Sequence, residues 1–186
     1  MIYDELHPRN FDVVALQVIC WTGQKVWKSG YLLPKLWHHQ RAGNRLHIAG
    51  IINVHCPHEG RPDDEKEAFY AQLEQTYDGC PLRDVKIVID DMNAQVGREE
   101  MYRPVVGPNS LHTVSNDNGQ RCINFAASLG MVVRSTIFPR KNIHKATWRS
   151  LNQETENLID GKFFSDITNV RTYRSANIES DVNNTC

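Results

Sequence analysis

A chain of 186 residues with 40% hydrophobic content is long enough for one domain around a buried core, and its glycine and proline are too few for a disordered polypeptide. The formal charge of −1 excludes a uniformly basic nucleic-acid binder, and no apolar run is long enough to cross a bilayer. The first residues lack the basic and apolar regions of a signal peptide, and the five cysteines are scattered. We therefore expect reduced thiols and an intracellular location, nuclear or cytoplasmic.

Apolar, β-branched runs alternate with amphipathic segments along the chain, which predicts a single layered α/β domain. Strands are predicted over residues 11–19, 49–55, 85–90 and 131–138, whereas residues 25–46 show no consistent period. A helix is predicted over residues 63–77, where Pro62 precedes three acidic residues and Phe69 and Leu73 share one face. A second helix is predicted to start near Asn118 and stop at Gly130, with these residues facing inward: Ile123, Ala126, Ala127 and Leu129.

The run over residues 85–97 is the most informative stretch, because a buried strand ends there on polar side chains. Residues 85–89 are almost entirely apolar, and Asp90, Asp91 and Asn93 follow, with Gly97 beyond them. Buried strands fix the backbone at the edge of a sheet, and the turn that follows aims its side chains, so such edges often carry chemistry. The alternative is that Asp91 and Asn93 only stabilise a turn, which both residue types do well.

The charge pattern suggests a candidate surface for phosphates, and the spacing of histidines and cysteines argues against a zinc site. Residues 101–153 carry seven basic residues against Asp117 alone, a net charge of +6 that could attract phosphates or could be an ordinary solvated face. The histidines and cysteines between His38 and His58 lack the paired, regular spacing of structural zinc ligands, so we predict no zinc site.

Six stretches resemble, in the same order, the motifs of the endonuclease/exonuclease/phosphatase superfamily: Leu16-Gln17, Asn53-Val54-His55-Cys56-Pro57, Asp91-Met92-Asn93, Ser115-Asn116-Asp117-Asn118-Gly119, Thr147-Trp148 and Ser180-Asp181. Residues 90–97 and 138–150 resemble craniofacial development protein 2-like sequences still more closely. Those sequences are similar to the endonuclease domains of non-LTR retrotransposons. The resemblance is dense over residues 63–150 and thinner outside them.

The resemblance implies an α/β (α+β) fold of the deoxyribonuclease I-like type, in which two sheets pack face to face between helices as a four-layer α-β-β-α sandwich. It also implies metal-assisted cleavage of a phosphodiester, usually with Mg²⁺. Asp91 matches the acid that works at the attacking water or leaving group, and Asn93 its companion amide. Asn118 lies in a segment that contributes a further polar contact, and Asp181 matches the acid of a terminal Ser-Asp-His motif.

The departures from the family pattern fall on its most important residues. Val18 stands where the family has the Glu that is its main metal ligand, and Val182 stands where it has the catalytic His. A hard divalent cation needs charged oxygen ligands, so we assign no metal ligand and do not expect this chain to hold Mg²⁺ well. His55 stands where the nucleic-acid enzymes commonly carry Tyr.

Two segments of the family pattern are missing, so residues 1–186 are predicted to form a single truncated domain. The chain is too short between residues 28 and 46 for the family's strands, and it lacks an Ile-Asp-His segment between residues 157 and 158. Another register places Ile159-Asp160 on that motif. We disfavour it, because residues 158–166 resemble the segment that follows the motif.

The sequence therefore predicts an inactive relic of a retrotransposon-type endonuclease domain. One alternative is an active Mg²⁺-dependent nuclease whose substitute ligands come from Asp90, Asp160 or the backbone. The other is a non-catalytic module that binds DNA or RNA weakly through the following residues: Arg140, Lys141, Lys145, Trp148 and Arg149. No membrane partner is expected, and an exposed sheet edge would favour self-association.

Overall fold

The computed structural model describes residues 48–82, 85–139 and 158–162, and within them it contains two α-helices and one mixed four-stranded sheet. The strands are β1 (Ile48–His55), β2 (Val85–Asp91), β3 (Met131–Val133) and β4 (Leu158–Asp160), and they lie in the order β1-β2-β4-β3. The helices are α1 (Asp63–Asp78) and α2 (Asp117–Ser128). The expected α/β class is thus confirmed, and the strand predicted over residues 11–19 lies outside the described residues.

Strands β1 and β2 pair in parallel, and helix α1 connects them along the chain. Their register pairs Ile52 with Val88 and His55 with Asp91, so the two strands end at the same level. Both strands are rich in Ile and Val, whose branched side chains suit a pleated sheet buried on both sides. The predicted strands over residues 49–55 and 85–90 are confirmed within one residue at each end.

Helix α1 forms where the sequence predicts it, one residue longer at its C-terminal end. Asp63 and Asp64 lie in its first turn, where negative charge is favourable beside the unpaired backbone N–H groups. Phe69, Leu73 and Tyr77 are buried at the spacing of one helical face. The helix therefore lies over one face of the sheet through an apolar stripe.

Helix α2 begins at an Asn cap and ends beside Gly130, whose φ of 64° is in the left-handed region that suits glycine. Its inward face differs from the prediction, because Ala127 is exposed. Ile123 and Ala126 are buried as predicted, and Cys122 and Phe125, which the prediction did not include, are buried with them. Ala127 lies about 100° further round the helix than Ala126, which is enough to move it from the buried face to solvent.

The strand predicted over residues 131–138 is wrong beyond Val133. A short 3₁₀ helix, Arg134–Thr136, replaces the rest of it. The Thr136 hydroxyl donates to the Val133 carbonyl and accepts from the Gly107 N–H at 2.7 Å, so a side chain satisfies backbone groups that a longer strand would have paired. Strand β4, which the sequence did not predict, pairs antiparallel with both β2 and β3.

The sheet is buried on both of its faces. Alternate residues along the strands point to opposite sides, and Ile52, Val88 and Leu158 belong to the large core under the helices. The opposite face carries a second buried apolar cluster: Ile51, Val85, Ile87, Ile89 and Ile159. Its members are at most 7% exposed, so this side of the sheet is covered as well. No helix among the described residues is long and apolar enough to cross a membrane.

Candidate functional site

The candidate site lies where β1 and β2 end side by side. His55 is the last residue of β1 and Asp91 the last residue of β2, and the parallel register makes them direct neighbours. The Nδ1 atom of His55 lies 4.0 Å from Oδ2 of Asp91. The Asp91 side chain is mostly buried, whereas the His55 side chain is about half exposed. The pair therefore presents an imidazole to solvent and a carboxylate to the interior.

Burial controls the electrostatics of Asp91. Removal from water raises the pKa of Asp91 above its ordinary value, because the charged carboxylate loses solvation. Two smaller effects oppose the rise: the backbone N–H of Asn93 donates to Oδ1 of Asp91 at 2.8 Å, and the charge of His55 is nearby. The environment therefore favours the neutral acid at this position more than a surface site would.

Asn93 makes the sharp turn that follows β2. Its φ of 46° is in the left-handed region, which Asn tolerates better than most residues. Its side-chain nitrogen donates to the carbonyl oxygen of Cys56, at the end of the neighbouring strand. The hydrogen bond between its backbone N–H and Asp91 closes the same turn. These contacts match the turn-stabilising alternative, and the catalytic assignment of both residues stays a prediction.

Asn118 joins this turn to helix α2 and to the loop after β1. It is fully buried, and its side-chain nitrogen donates to the carbonyl oxygens of Pro57 and Asn93, both at 2.9 Å. Within the described part of the chain, its Oδ1 atom is buried without a hydrogen-bond partner. Three stretches that the sequence linked by resemblance therefore meet at one side chain, which lies under the candidate site.

Glu59 holds the loop after β1 against the start of α2. One carboxylate oxygen accepts from the Asn116 side chain at 2.8 Å and from the Asn118 backbone N–H at 3.2 Å, and the other accepts from the Asp117 N–H at 3.3 Å. A carboxylate at a helix N-terminus is favourable because the first N–H groups have no partners inside the helix. The sequence did not reveal this contact, because the partners are 57–59 residues apart.

An open depression of about 310 Å³ lies at the ends of the strands, lined by His55, Cys56, Pro57, His58, Arg61 and Asn93. Sequence reasoning missed Arg61, and it considered His58 only as part of a zinc pattern. A signal was present, because His58 and Arg61 follow immediately after a predicted strand that ends in a candidate motif. Two residues able to carry positive charge thus share this depression with Asn93.

The described part of the site does not fit a divalent cation. It supplies the single carboxylate of Asp91, which is buried and already hydrogen-bonded to Asn93. Mg²⁺ requires several oxygen ligands in nearly octahedral geometry. No group of three His, Cys, Asp or Glu side chains within residues 48–82, 85–139 and 158–162 is arranged to hold a metal ion.

Asp160 lies at the wrong end of the sheet to act with Asp91. The antiparallel register pairs Ile159 with Ile87, so Asp160 lies beyond the middle of β2 toward its beginning. Asp91 ends the same strand about five residues away, which corresponds to roughly 16 Å along the strand. The alternative in which Asp160 supplies a substitute ligand is therefore wrong for a site centred on Asp91.

The remaining predicted site residues lie outside the described residues: Asp181, Arg140, Lys141, Lys145, Trp148 and Arg149. Their convergence with Asp91 stays a prediction, as does the loss of function assigned to Val18 and Val182.

Comparison with known proteins finds two related sequences, both called craniofacial development protein 2. The proteins from Bos taurus and Tragulus javanicus are each 26% identical to this chain over 136 residues. The matched segment covers 70% of this chain but only 23% of each relative. The chain thus matches less than a quarter of the length of these proteins. No family model matches the chain, and no solved structure gives a significant match.

Proposed function

We propose that this chain is a shortened, catalytically inactive relic of a metal-dependent endonuclease domain of the retrotransposon type, within the endonuclease/exonuclease/phosphatase superfamily. The observation that carries the proposal is the meeting of three motif-bearing stretches at the buried side chain of Asn118. The loop at Pro57, the turn at Asn93 and the start of α2 are far apart in sequence, yet all are linked there by hydrogen bonds. The similarity to craniofacial development protein 2 supports the same ancestry.

The burial pattern of the sheet supports the deoxyribonuclease I-like sandwich as the fold of the whole domain. In a four-layer α-β-β-α arrangement each sheet carries helices on one face and the other sheet on its second face. The described sheet has α1 and α2 on one side and a closely buried apolar cluster on the other. A sheet that faced water on one side would instead show polar residues at those alternate positions.

Two features support catalytic silence. Val18 and Val182 replace the metal-binding Glu and the catalytic His of the motifs that this chain resembles, and each such group commonly contributes a factor of at least ~100 to rate. The side-chain nitrogens of Asn93 and Asn118 also donate to backbone carbonyls in the interior. Those bonds stabilise the turn, and they direct amide donors away from a substrate.

A plasmid-nicking assay tests this proposal. We expect no Mg²⁺-dependent nicking of supercoiled DNA above background, and identical results for wild type, Asp91→Asn and Asp91→Ala. Asp64→Ala, which removes an exposed carboxylate in the first turn of α1, is the matched control. The alternative of an active nuclease with substitute ligands would instead give nicking that EDTA abolishes and that Asp91→Ala, but not Asp64→Ala, removes.

A non-catalytic module for nucleic acid is the second candidate function, and the depression beside His58 and Arg61 favours it. The basic residues of segment 140–149 would add sequence-independent contacts to phosphates of DNA or RNA. Binding of this kind needs no metal ion. We also propose that the truncation leaves an exposed sheet edge through which the protein self-associates, and sedimentation velocity over a range of protein concentrations tests this.

A further inference from the structure

We propose that Asn118 is a deamidation site that the folded structure protects, and that its conversion to aspartate or isoaspartate releases the junction between the loop after β1, the Asp91 turn and helix α2. Asn118-Gly119 is the only Asn-Gly pair in the sequence. Deamidation is fastest at such pairs, because glycine has no Cβ to obstruct attack by its backbone nitrogen on the preceding side chain. The modification needs no metal ion, no enzyme and no nucleic acid, so it is independent of the proposed function.

The reaction is a ring closure within the chain. The Gly119 backbone nitrogen attacks Cγ of Asn118, a C–N bond forms, and the side-chain amide leaves as ammonia together with the proton of the backbone nitrogen. Water then opens the resulting succinimide at either of its carbonyl groups, which gives aspartate or isoaspartate. Both products carry a carboxylate in place of the amide, and the isoaspartate also has an additional methylene in the backbone.

The folded structure opposes this ring closure at the attacking nitrogen. The Gly119 N–H donates to Oδ1 of Asn116, the N-cap of α2, at 2.8 Å. The Gly119 backbone also packs closely against the Gln95 carbonyl oxygen, which a Cβ on Gly119 would approach to 2.0 Å. Ring closure requires rotation about ψ of Asn118 away from helical values. The hydrogen bond and the close packing prevent that rotation while the junction is closed.

The Asn118 side chain is equally unsuited to attack in the closed junction. Its nitrogen, which must leave as ammonia, donates to the carbonyl oxygens of Pro57 and Asn93, both at 2.9 Å. Its Oδ1 atom, where negative charge develops during the attack, has no hydrogen-bond donor among the described residues. That charge is therefore not stabilised, and the full burial of Asn118 excludes the water that the second step consumes.

Local opening at the start of α2 would remove this protection without global unfolding. The first N–H groups of a helix have no partners within it, so side chains hold them here. Glu59 accepts from the Asp117 and Asn118 N–H groups, and its contacts with the start of α2 are exposed or only partly buried. Segments held by exposed hydrogen bonds open at a lower free-energy cost than the core. The reactive state is therefore a minor open form, and Glu59 controls its population.

The modified side chain no longer fits the closed junction. A carboxylate has no N–H to donate, so the carbonyl oxygens of Pro57 and Asn93 lose their partner. A negative charge at this fully buried position would also face those carbonyl oxygens, and an unpaired buried charge is strongly unfavourable. In the isoaspartate, the longer backbone displaces Gly119 from the Asn116 cap as well. Deamidation therefore converts a reversible opening into a lasting one.

Incubation of the full chain in mildly alkaline buffer, followed by peptide mapping, tests the proposal. Mass spectrometry measures the conversion of each asparagine, and labelling by an isoaspartyl methyltransferase detects the isoaspartate. In urea above the unfolding midpoint, we expect Asn118 to react faster than every other asparagine. In native buffer its rate should be at least about a hundredfold lower, because only the open form reacts. The rate should rise with urea concentration below the midpoint.

Glu59→Ala should accelerate the reaction of Asn118 in native buffer by at least about tenfold, because it removes the hydrogen bonds that hold the start of α2. Glu74→Ala is the matched control, since Glu74 is an exposed carboxylate on α1, and it should leave the rate unchanged. Deamidated chains, separated from unmodified chains by ion exchange, should unfold at a lower urea concentration. Asn118→Asp supplies the aspartate product directly and should be destabilised in the same way.

Equal rates at Asn118 in native buffer and in urea would overturn the proposal, as would a faster reaction at another asparagine of the unfolded chain. The proposal is also overturned if Glu59→Ala and Glu74→Ala have equal effects, or if deamidated chains are as stable as unmodified ones. Mg²⁺-dependent nicking would overturn the proposed function separately, because deamidation is measured without DNA or metal.

Discussion

Replacement of Asn118 by alanine should destabilise the protein strongly, because one buried side chain bridges two backbone segments. The change removes the donors to the carbonyl oxygens of Pro57 and Asn93. Each buried acceptor left without a partner costs about 1–3 kcal/mol. Two effects offset part of this loss. Alanine is the better helix former by less than about 1 kcal/mol, and the unpaired Oδ1 of Asn118 is removed with the side chain. We expect a net loss of about 2–4 kcal/mol in the free energy of unfolding.

Equilibrium unfolding in urea, followed by circular dichroism, measures this loss. A small domain has a total stability of about 5–15 kcal/mol, so the expected effect is a large fraction of it. With a slope of about 2 kcal/mol per molar urea, the midpoint should fall by roughly 1–2 M. Asn124→Ala is the matched control, since Asn124 lies in the same helix with an exposed side chain. It should be neutral or slightly stabilising.

A loss below about 1 kcal/mol for Asn118→Ala, or one equal to that of Asn124→Ala, would contradict the role assigned to this side chain. A change in slope together with the midpoint would mean that the mutation alters the unfolded or native ensemble rather than only the bridge. The first result would also remove the main structural support for the proposed ancestry of the site.

Three further predictions concern the turn, the buried acid and the basic segment. Gly119→Ala should destabilise the protein by about 1–3 kcal/mol, because the new Cβ would lie 2.0 Å from the Gln95 carbonyl oxygen. The control Gly60→Ala would place its Cβ 3.5 Å from its nearest neighbour and should cost less than half as much in the same urea assay. The raised pKa of Asp91 means that the folded state binds a proton more tightly than the unfolded chain. Stability should therefore fall as the pH rises from about 4 through the window up to the folded pKa. Urea midpoints across that range should show this fall in wild type and a smaller one in Asp91→Asn, and parallel curves would contradict it. DNA binding should weaken steeply as the salt concentration rises. Lys145→Gln should reduce the slope of log binding constant against log salt concentration by about one unit, and an unchanged slope would contradict this prediction.

The elements that the sequence predicted well are those whose signal is local. Strands β1 and β2 are long, apolar and bounded by polar or turn residues, and helix α1 combines a proline start, an acidic first turn and a regular apolar stripe. Periodicity alone was therefore sufficient to locate them. The polar end of β2 also located a turn at Asp91 and Asn93, because both residue types stabilise turns through their side chains.

Elements that depend on distant partners could not be predicted in this way. Strand β4 has three residues, too few to show a period, and it exists because β2 and β3 both offer it unpaired backbone groups. The early end of β3 depends on the Thr136 hydroxyl, which bonds a residue far away in the chain, Gly107.

The sequence by itself determined the class of fold, the strands that became β1 and β2, both helices and the position of the Asp91 turn, since each follows from propensity and periodicity within one segment. Only the tertiary structure showed that Asn118 joins the turn to the loop after β1, that Glu59 secures that loop, and that His58 and Arg61 line one depression with Asn93. The physical reason is the same in every case. Hydrogen bonds and electrostatic fields depend on distance in space, and the parallel arrangement of β1 and β2 brings together groups that lie tens of residues apart along the chain.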